Sequence, residues 1–260
     1  MNLVDQDAEI MRAVERFAAT ATVPILHEYM PDEVDQIGTG TLFNCDGRLM
    51  LVTAGHIFDE IKPEDLVLPS RGTAALHGIG PYFLHRPDNR DIDIAIVELR
   101  HQPSIDRARS SWKILEFGNT ATASEEGWFV LTGYPSIKSK RVGGLLGSSL
   151  LSLHSRRLTE VPPEAEQPVH PDLDLFFEFA KEAENLDGTT GDVPHLGGCS
   201  GGPIWEYLEP QGMGFWTPEQ CLRLVGVQSA FNPSAGYFRA KSGIYVRFMI
   251  DELVSRHPHP

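Results

Sequence analysis

Cysteine is scarce in this sequence. The 260 residues include three, Cys45, Cys199 and Cys221, which is an odd number and too few to staple a chain of this size with disulfides. No Cys-Xaa2-Cys pair is present to indicate a redox or zinc motif. The first residues are acidic and lack the basic and apolar segments of a secretory signal. We therefore expect free thiols in a reducing compartment and a cytoplasmic location.

Positive charge is also scarce. The 22 Lys and Arg residues are outnumbered by 36 Asp and Glu residues, which gives a formal net charge of −14. The longest basic cluster, Lys138-Ser139-Lys140-Arg141, is too small to hold a phosphate backbone, so nucleic acid is not an expected partner. No stretch approaches the roughly 18 apolar residues that span a bilayer, so no membrane partner is expected either. Metal-ligand spacings and a phosphate-binding Gly-Lys loop are missing, which predicts no metal and no cofactor.

Helical periodicity is confined to the two ends of the chain. Residues 1–20 show the apolar spacing of a helix, and a second helix is predicted from Val246 to Arg256. Between them, short apolar runs alternate with turns that hold most of the 24 Gly and 19 Pro residues, which is typical of an all-β sandwich or barrel. Two polar segments interrupt this pattern. Residues 101–127 are predicted to link two halves, and residues 156–171 to form an exposed loop.

Three short segments carry residues suited to nucleophilic catalysis. His56 ends a Thr-Ala-Gly-His segment, Asp93 opens an apolar run, and Ser200 lies within Gly-Gly-Cys-Ser-Gly-Gly-Pro. Singly, each has an ordinary structural explanation: a surface histidine, a turn aspartate and a flexible loop. Together they supply a nucleophile, a base and a carboxylate that orients the base. A tight glycine turn would also aim the amides of Gly198 and Ser200 at an oxyanion. The pattern predicts acyl transfer by a serine.

The order His, Asp, Ser and the residues around each one resemble the trypsin-like (chymotrypsin-fold) serine peptidases. The resemblance covers about residues 37–248. It rests on six segments in the family's order: Gly38–Phe43, Thr53–His56, Asp93–Val97, Gly198–Pro203, Leu224–Ser229 and Ser242–Arg247. The third segment is similar to the family's Asp-Ile-Ala-Leu-Leu, which selects Asp93 over Asp91 as the orienting carboxylate.

The resemblance implies an all-β fold of two six-stranded antiparallel β-barrels, with a short N-terminal helix and a C-terminal helix. A helical extension would occupy residues 1–20. A first barrel, residues 21–115, would carry His56 and Asp93, and a second barrel, residues 116–256, would carry Ser200 and the specificity pocket.

The function implied is that of a serine endopeptidase, with His56 as base, Asp93 as its orienting group and Ser200 as nucleophile. Its partner would be a protein or peptide substrate, with a regulatory protein as a further candidate. A function of another class stays open: a catalytically silent module of this fold that captures extended peptides by strand addition along Gln228–Phe231.

The sequence departs from secreted members of this family. Cys199 stands where they carry an aspartate that pairs with a freshly cleaved amino terminus, and the chain cannot form their several disulfides. Both departures fit an intracellular or bacterial-type member that is built active. Residues 1–36 lie outside the match. Cys199 is also an alternative nucleophile, but the nucleophile position of Gly-Xaa-Ser-Gly-Gly favours Ser200.

The resemblance also implies a substrate pocket lined by Pro194, Ser229, Ala230, Phe231 and Gly243. None of these residues is charged. The substrate residue on the acyl side of the cleaved bond (P1) is therefore expected to be small or medium-sized and apolar. Lys and Arg are disfavoured, because an uncharged pocket does not repay the desolvation of a buried cation. Asp192, two residues out of register with Pro194, is the alternative that would favour a basic side chain.

Overall fold

Two curled β-sheets with a helix near each end make up the protein. The structure is a computed structural model and describes residues 3–30, 33–73, 75–142, 145–184, 189–208 and 217–256, so residues 1 and 2 of the predicted extension lie outside the described residues. The described helices are α1 (Leu3–Ala21), α2 (Gln102–Ser111), α3 (Pro218–Cys221) and α4 (Gly243–Arg256). None of them is long and apolar enough to span a bilayer.

The first sheet has eight strands among the described residues. They are β1 (Val23–Met30), β2 (Glu33–Cys45), β3 (Arg48–Ala54), β4 (Leu66–Pro69), β5 (Leu76–Gly78), β6 (Tyr82–His85), β7 (Ile94–Leu99) and β8 (Ile114–Leu115). Their order is β5-β4-β1-β2-β3-β7-β6, all antiparallel, and β8 pairs with β2 in parallel. The apolar run of β3 is buried along its whole length, as expected of a central strand.

The second sheet has seven strands in the described part of the chain, and two short hairpins form separate two-stranded sheets. Its strands and the hairpin strands are β9 (Trp128–Gly133), β10 (Lys140–Val142), β11 (Leu145–Gly147), β12 (Leu151–Ser155), β13 (Arg157–Leu158), β14 (Asp174–Glu178), β15 (Glu182–Glu184), β16 (Thr190–Asp192), β17 (Pro203–Tyr207), β18 (Leu222–Asn232) and β19 (Tyr237–Ser242). The sheet runs β12-β9-β17-β18-β19-β14-β13, while β10–β11 and β15–β16 form the hairpins. The predicted all-β, two-barrel fold with two terminal helices is confirmed, with eight and seven strands in place of six each.

Three large apolar cores and two smaller clusters are found among the described residues, and the large ones hold these elements together. One lies within each sheet, and the third joins the two sheets to both terminal helices. In this shared core Val14 and Ala18 of α1 are fully buried, and the ring of Phe17 contacts Trp205 of β17 edge-on at 6.1 Å. Val246 of α4 belongs to the same core. The N-terminal helix is therefore part of the folded interior.

Several local expectations need correction. Ser242–Arg247 resembles a segment that forms a pocket-wall strand in the trypsin-like family, but here α4 begins at Gly243. The Gly243 backbone packs against Leu224 and Val225 so closely that a Cβ would lie 3.0 Å from the Leu224 carbonyl oxygen. The 101–127 segment does link the two sheets, but it contains α2 and β8. Strand β1 lies within residues 1–36, outside the match, and is a full member of the first sheet, in line with a first barrel over residues 21–115. The 156–171 segment is a surface connection that begins with β13.

Candidate active site

His56 and Asp93 meet because their strands pair. Strand β3 ends at Ala54 opposite Ile94, the first residue of β7, so the residues that follow β3 lie beside those that precede β7. His56 sits in a short 3-10 helix after β3. Its backbone amide donates to Asp93 Oδ1 at 2.7 Å, and its ring Nδ1 lies 2.9 Å from Asp93 Oδ2. The carboxylate therefore holds both the backbone and the ring of His56.

The backbone on both sides of this contact is unusual. Asp93 has φ 22° and ψ 41°, a left-handed conformation that costs a non-glycine residue about 1–2 kcal/mol. Gly55 donates its amide to the Asp93 carbonyl oxygen at 3.1 Å, and a Cβ at Gly55 would lie 3.2 Å from Asp93 Oδ1. The strand pairing therefore holds Asp93 in a strained backbone conformation beside His56, and such strain is common at functional sites.

The carboxylate also changes the basicity of His56. The hydrogen bond with Asp93 raises the pKa of the His56 imidazole, while partial burial opposes the rise. The ring is 43% exposed, so its other nitrogen is open to a ligand. With Nδ1 donating to Asp93, the neutral ring carries its lone pair on Nε2, where a base would need it.

The Ser200 turn is pinned against the first sheet. Thr39 of β2 donates its amide to the Ser200 carbonyl oxygen at 2.8 Å and its hydroxyl to the Gly198 carbonyl oxygen, also at 2.8 Å. At Gly201 (φ +85°) the backbones approach so closely that a Cβ would lie 2.1 Å from Thr53 Oγ1 and 2.8 Å from the Ala54 amide nitrogen. The turn therefore lies against the end of β3, two residues before His56.

The backbone N–H groups of Gly198 and Ser200, which are predicted to bind an oxyanion, are held in fixed directions by hydrogen bonds to the carbonyls of the same peptide units. The Gly197 carbonyl oxygen accepts from the Ser136 amide at 2.7 Å, and the Cys199 carbonyl oxygen accepts from the Gly202 amide at 2.7 Å. In a trans peptide the C=O and N–H point in opposite directions, so these bonds direct the Gly198 and Ser200 N–H groups away from the turn's interior. Among the described residues, neither N–H group has an acceptor.

Ser200 itself is half-buried. Within the described residues its hydroxyl makes no hydrogen bond to His56, so the structure brings His56 to Asp93 and the turn to β3 but does not close the Ser–His contact. Such contacts are often long in unliganded enzymes and tighten when substrate binds.

The neighbouring thiol is turned into the core. Cys199 is fully buried among apolar side chains of the second sheet, and burial raises its pKa to about 12. Its Sγ lies against Gly133 of β9, where a Cβ would be only 2.9 Å away. A thiol with this pKa is almost entirely un-ionised at neutral pH, and its burial keeps it from reaching a substrate.

Three of the five predicted pocket residues lie on β18, and the other two lie outside this strand. Ser229, Ala230 and Phe231 lie in the part of β18 that extends beyond β17, since the β17–β18 pairing ends at Val227. Ser229 is buried and donates its hydroxyl to the Arg239 carbonyl oxygen at 3.3 Å. The other residues sit outside the strand: Pro194 is half-buried before the Ser200 turn, Asp192 is exposed at the end of β16, and Gly243 begins α4.

Two residues of this site were missed by the sequence analysis. Thr39 holds two carbonyls of the serine turn, and its Gly-Thr-Gly-Thr context was noted only as part of a strand. Gln228 is 1% exposed beside the turn, where its backbone carbonyl accepts from the Gly201 amide and its backbone amide donates to the Gly202 carbonyl oxygen, both at 2.8 Å. A lone amide side chain within the apolar run of β18 was the available signal for Gln228.

The architecture places this chain in the class of trypsin-like two-barrel folds. A structure of the scabies mite inactivated protease paralogue S-I1 matches with a TM-score of 0.55 at 15% identity, covering 93% of this chain and 96% of that one. Identity at this level supports the fold alone, and the neighbour is itself named an inactivated paralogue.

A second matching structure comes from work on the coupled folding and binding of the intrinsically disordered Sesbania mosaic virus VPg protein. It has a TM-score of 0.48 at 15% identity, covering 86% of this chain and 87% of that one. No family model matches the sequence, and no curated protein does.

Proposed function

We propose that this protein is a serine endopeptidase that cleaves peptide bonds through an acyl-enzyme. The observation that carries the proposal is a turn with two directed, unpartnered amides beside Ser200, packed against the strand end that bears the His56–Asp93 pair. A binding module has no need of this combination, whereas acyl transfer uses each part of it.

The chemistry follows from these positions. Ser200 Oγ attacks the carbonyl carbon while His56 Nε2 takes the hydroxyl proton, and the Gly198 and Ser200 amides hold the negative oxygen. The C–N bond then breaks, the amine leaves with the proton from His56, and the acyl group stays on Ser200. Water repeats the attack with His56 as base, which releases the acid and frees Ser200. Throughout, Asp93 fixes the tautomer of His56 and stabilises its charged form.

The substrate's main chain has an edge on which to dock. Strand β18 runs on to Asn232 after its pairing with β17 ends, so one side of Ser229–Phe231 carries no strand of the second sheet. An extended peptide added there would run past the Ser200 turn. Both the peptidase and a silent peptide-binding module would use this edge, so the edge alone does not separate them.

The site also supports the idea of an enzyme that is built active. The serine turn is held by Thr39 and by Ser136, and Cys199 points into the core, so no charged amino terminus is needed to shape it. The cysteines are free, and two are buried. We therefore extend the proposal to a member of the intracellular or bacterial type in a reducing, cytoplasmic setting.

A fluorophosphonate probe tests the proposed function. We expect covalent labelling of the wild type at Ser200 and hydrolysis of a quenched peptide library. Ser200→Ala should remove both, with a loss in turnover of at least about 10⁴-fold. Cys199→Ala is the matched control and should keep labelling and turnover, since the buried thiol takes no part.

Two outcomes would overturn the proposal. Turnover that survives in Ser200→Ala but is lost in Cys199→Ala would reassign the nucleophile. A wild-type protein that is folded, binds extended peptides, and neither reacts with the probe nor cuts any peptide would be the silent module.

A further inference from the structure

A buried amide without a partner lies beside the serine turn. Gln228 is 1% exposed, and within the described residues its side-chain Oε1 has no hydrogen-bond donor. Leaving a buried acceptor unpaired is unfavourable, and native structures contain few such atoms. An unpaired group of this kind at a candidate active site indicates a donor that arrives with a ligand.

The strand register shows which way this amide faces. Gln228 lies directly opposite Ala240 of β19, and opposed residues in an antiparallel pair project to the same face. Ala240 belongs to the apolar core of the second sheet, together with Leu196 and Cys199 from the approach to Ser200. The Gln228 side chain therefore faces the region between β18 and the 193–200 segment, next to the serine turn.

An aromatic contact closes this space. Phe231 pairs with Phe238, two residues along β19 from Ala240, so Phe231 is the next side chain on the same face as Gln228. Its ring meets His195 edge-on, with centroids 4.5 Å apart, and this contact bridges β18 and the 193–200 segment. Phe231 and His195 therefore lie next to Gln228 on this side of β18.

His195 supplies a second polar group at the same entrance. Its Nδ1 accepts from the Gly197 amide at 3.1 Å, so the proton of the neutral ring is on Nε2. His195 is exposed, which leaves that N–H available to an acceptor on a ligand. The entrance thus offers one acceptor, Gln228 Oε1, and one donor, His195 Nε2.

We propose that Gln228 and His195 select a primary amide, the side chain of glutamine, at the P1 position of the substrate. The inference rests on the proposed peptidase function and names its substrate class. The amide's NH₂ would donate to Gln228 Oε1, and its carbonyl would accept from His195 Nε2. This replaces the expectation of an apolar P1 residue and keeps the expectation that Lys and Arg are disfavoured.

The same groups reject the competitors for different reasons. Leucine fills the space but leaves Gln228 Oε1 unpaired. Glutamate brings no proton for that acceptor and must lose its hydration on entry. Arginine could donate but would bury its charge among the apolar side chains of this core. A site built to hydrogen-bond its substrate discriminates strongly against analogues that lack the group.

A matched peptide series tests the proposal. The peptides differ only at P1, with Gln, Glu, Leu or Arg, and the readout is kcat/KM. We expect Gln to exceed each of the others by at least roughly tenfold. Gln228→Leu should erase that preference in favour of Leu. His195→Ala should weaken the preference for Gln, and His154→Ala, an exposed histidine on β12, is the control that leaves the profile unchanged.

A second measurement does not depend on turnover. Peptides that end in Gln or in Leu compete for the folded Ser200→Ala protein, and the Gln peptide should bind at least about tenfold more tightly, an advantage lost when Gln228→Leu is added. Equal binding of the two peptides, or a Leu-first cleavage profile that Gln228→Leu does not change, would overturn the inference and leave the proposed function standing. Selective binding without labelling or cleavage would refute the peptidase and keep the amide-selective site.

Discussion

Replacing Asp93 with asparagine tests the chemistry of the site with little change in shape. In the native protein the two carboxylate oxygens accept from the His56 amide at 2.7 Å and from His56 Nδ1 at 2.9 Å. An asparagine keeps one oxygen, which the backbone amide requires, and so turns its NH₂ group towards Nδ1. That group donates to Nδ1, which forces the ring proton onto Nε2. The ring then lacks the lone pair that should take the proton from Ser200.

The expected loss is large because one tautomer replaces the other. A wrong-tautomer histidine in a Ser-His-Asp site lowers kcat by roughly 10⁴-fold, which corresponds to about 5.4 kcal/mol of transition-state stabilisation. Initial rates on a quenched peptide measure this loss, and the rate of fluorophosphonate labelling measures it independently, since labelling also needs an activated Ser200. The thermal midpoint should move little, because the substitution keeps the volume and one of the two hydrogen bonds.

Asp91→Asn provides the control. Asp91 lies two residues before Asp93, in a short 3-10 helix (Arg90–Ile92) that Asp93 caps. Its carboxylate contacts His170 at 3.0 Å and makes no hydrogen bond to His56. This exposed pair should contribute at most about 1 kcal/mol to stability and nothing to turnover. The reasoning is refuted if Asp93→Asn stays within tenfold of the wild type, or if Asp91→Asn loses as much activity.

Three further predictions follow from described features. Asp93 raises the pKa of His56 above its ordinary value near 6.5. A pH–rate profile of kcat/KM should therefore reach half its maximum on the acid side at a pH above 6.5, and that midpoint should move to lower pH in Asp93→Asn. Gly198→Ala should lower kcat by at least ~10²-fold, since φ is +91° and the new Cβ would lie 2.4 Å from Ser136 Oγ; activity near wild type would contradict a rigid oxyanion turn. Deleting α1 should lower the free energy of unfolding by on the order of 5 kcal/mol or more and abolish cooperative thermal unfolding. A tag ahead of residue 1 should leave kcat unchanged. Activity that requires cleavage within residues 1–36 would show that the segment is a propeptide.

The sequence was most informative where chemistry constrains it tightly. The segments around His56, Asp93 and Ser200 predicted the fold, and the structure brings two of these residues, His56 and Asp93, into hydrogen-bond contact at paired strand ends. The glycines also had a local reason to be there, since Gly55 and Gly201 each leave no room for a side chain. The choice of Asp93 over Asp91 agrees with the hydrogen bonds, because only Asp93 reaches His56.

Features set by distant contacts could not be predicted in the same way. Gly243–Val246 contains β-branched residues and favoured a strand, yet tertiary packing makes it the first turn of α4, with Val246, Met249, Ile250 and Leu253 buried along one face. Strand β1 contains Pro24 and begins a sheet whose partners lie elsewhere in the chain. The contact between Phe231 and His195 joins residues 36 positions apart, a separation that no local pattern contains.

The core shared by α1, both sheets and α4 has a consequence for how the protein is made. Val14 and Val246 are packed in one cluster, but roughly 230 residues separate them along the chain. At the usual pace of synthesis, about 5–20 residues per second, α1 is made some 10 to 50 s before the α4 residues that complete this core. Contacts of such long sequence separation also form late in folding. During translation the nascent chain therefore displays an uncovered apolar helix, which is the kind of surface that chaperones bind.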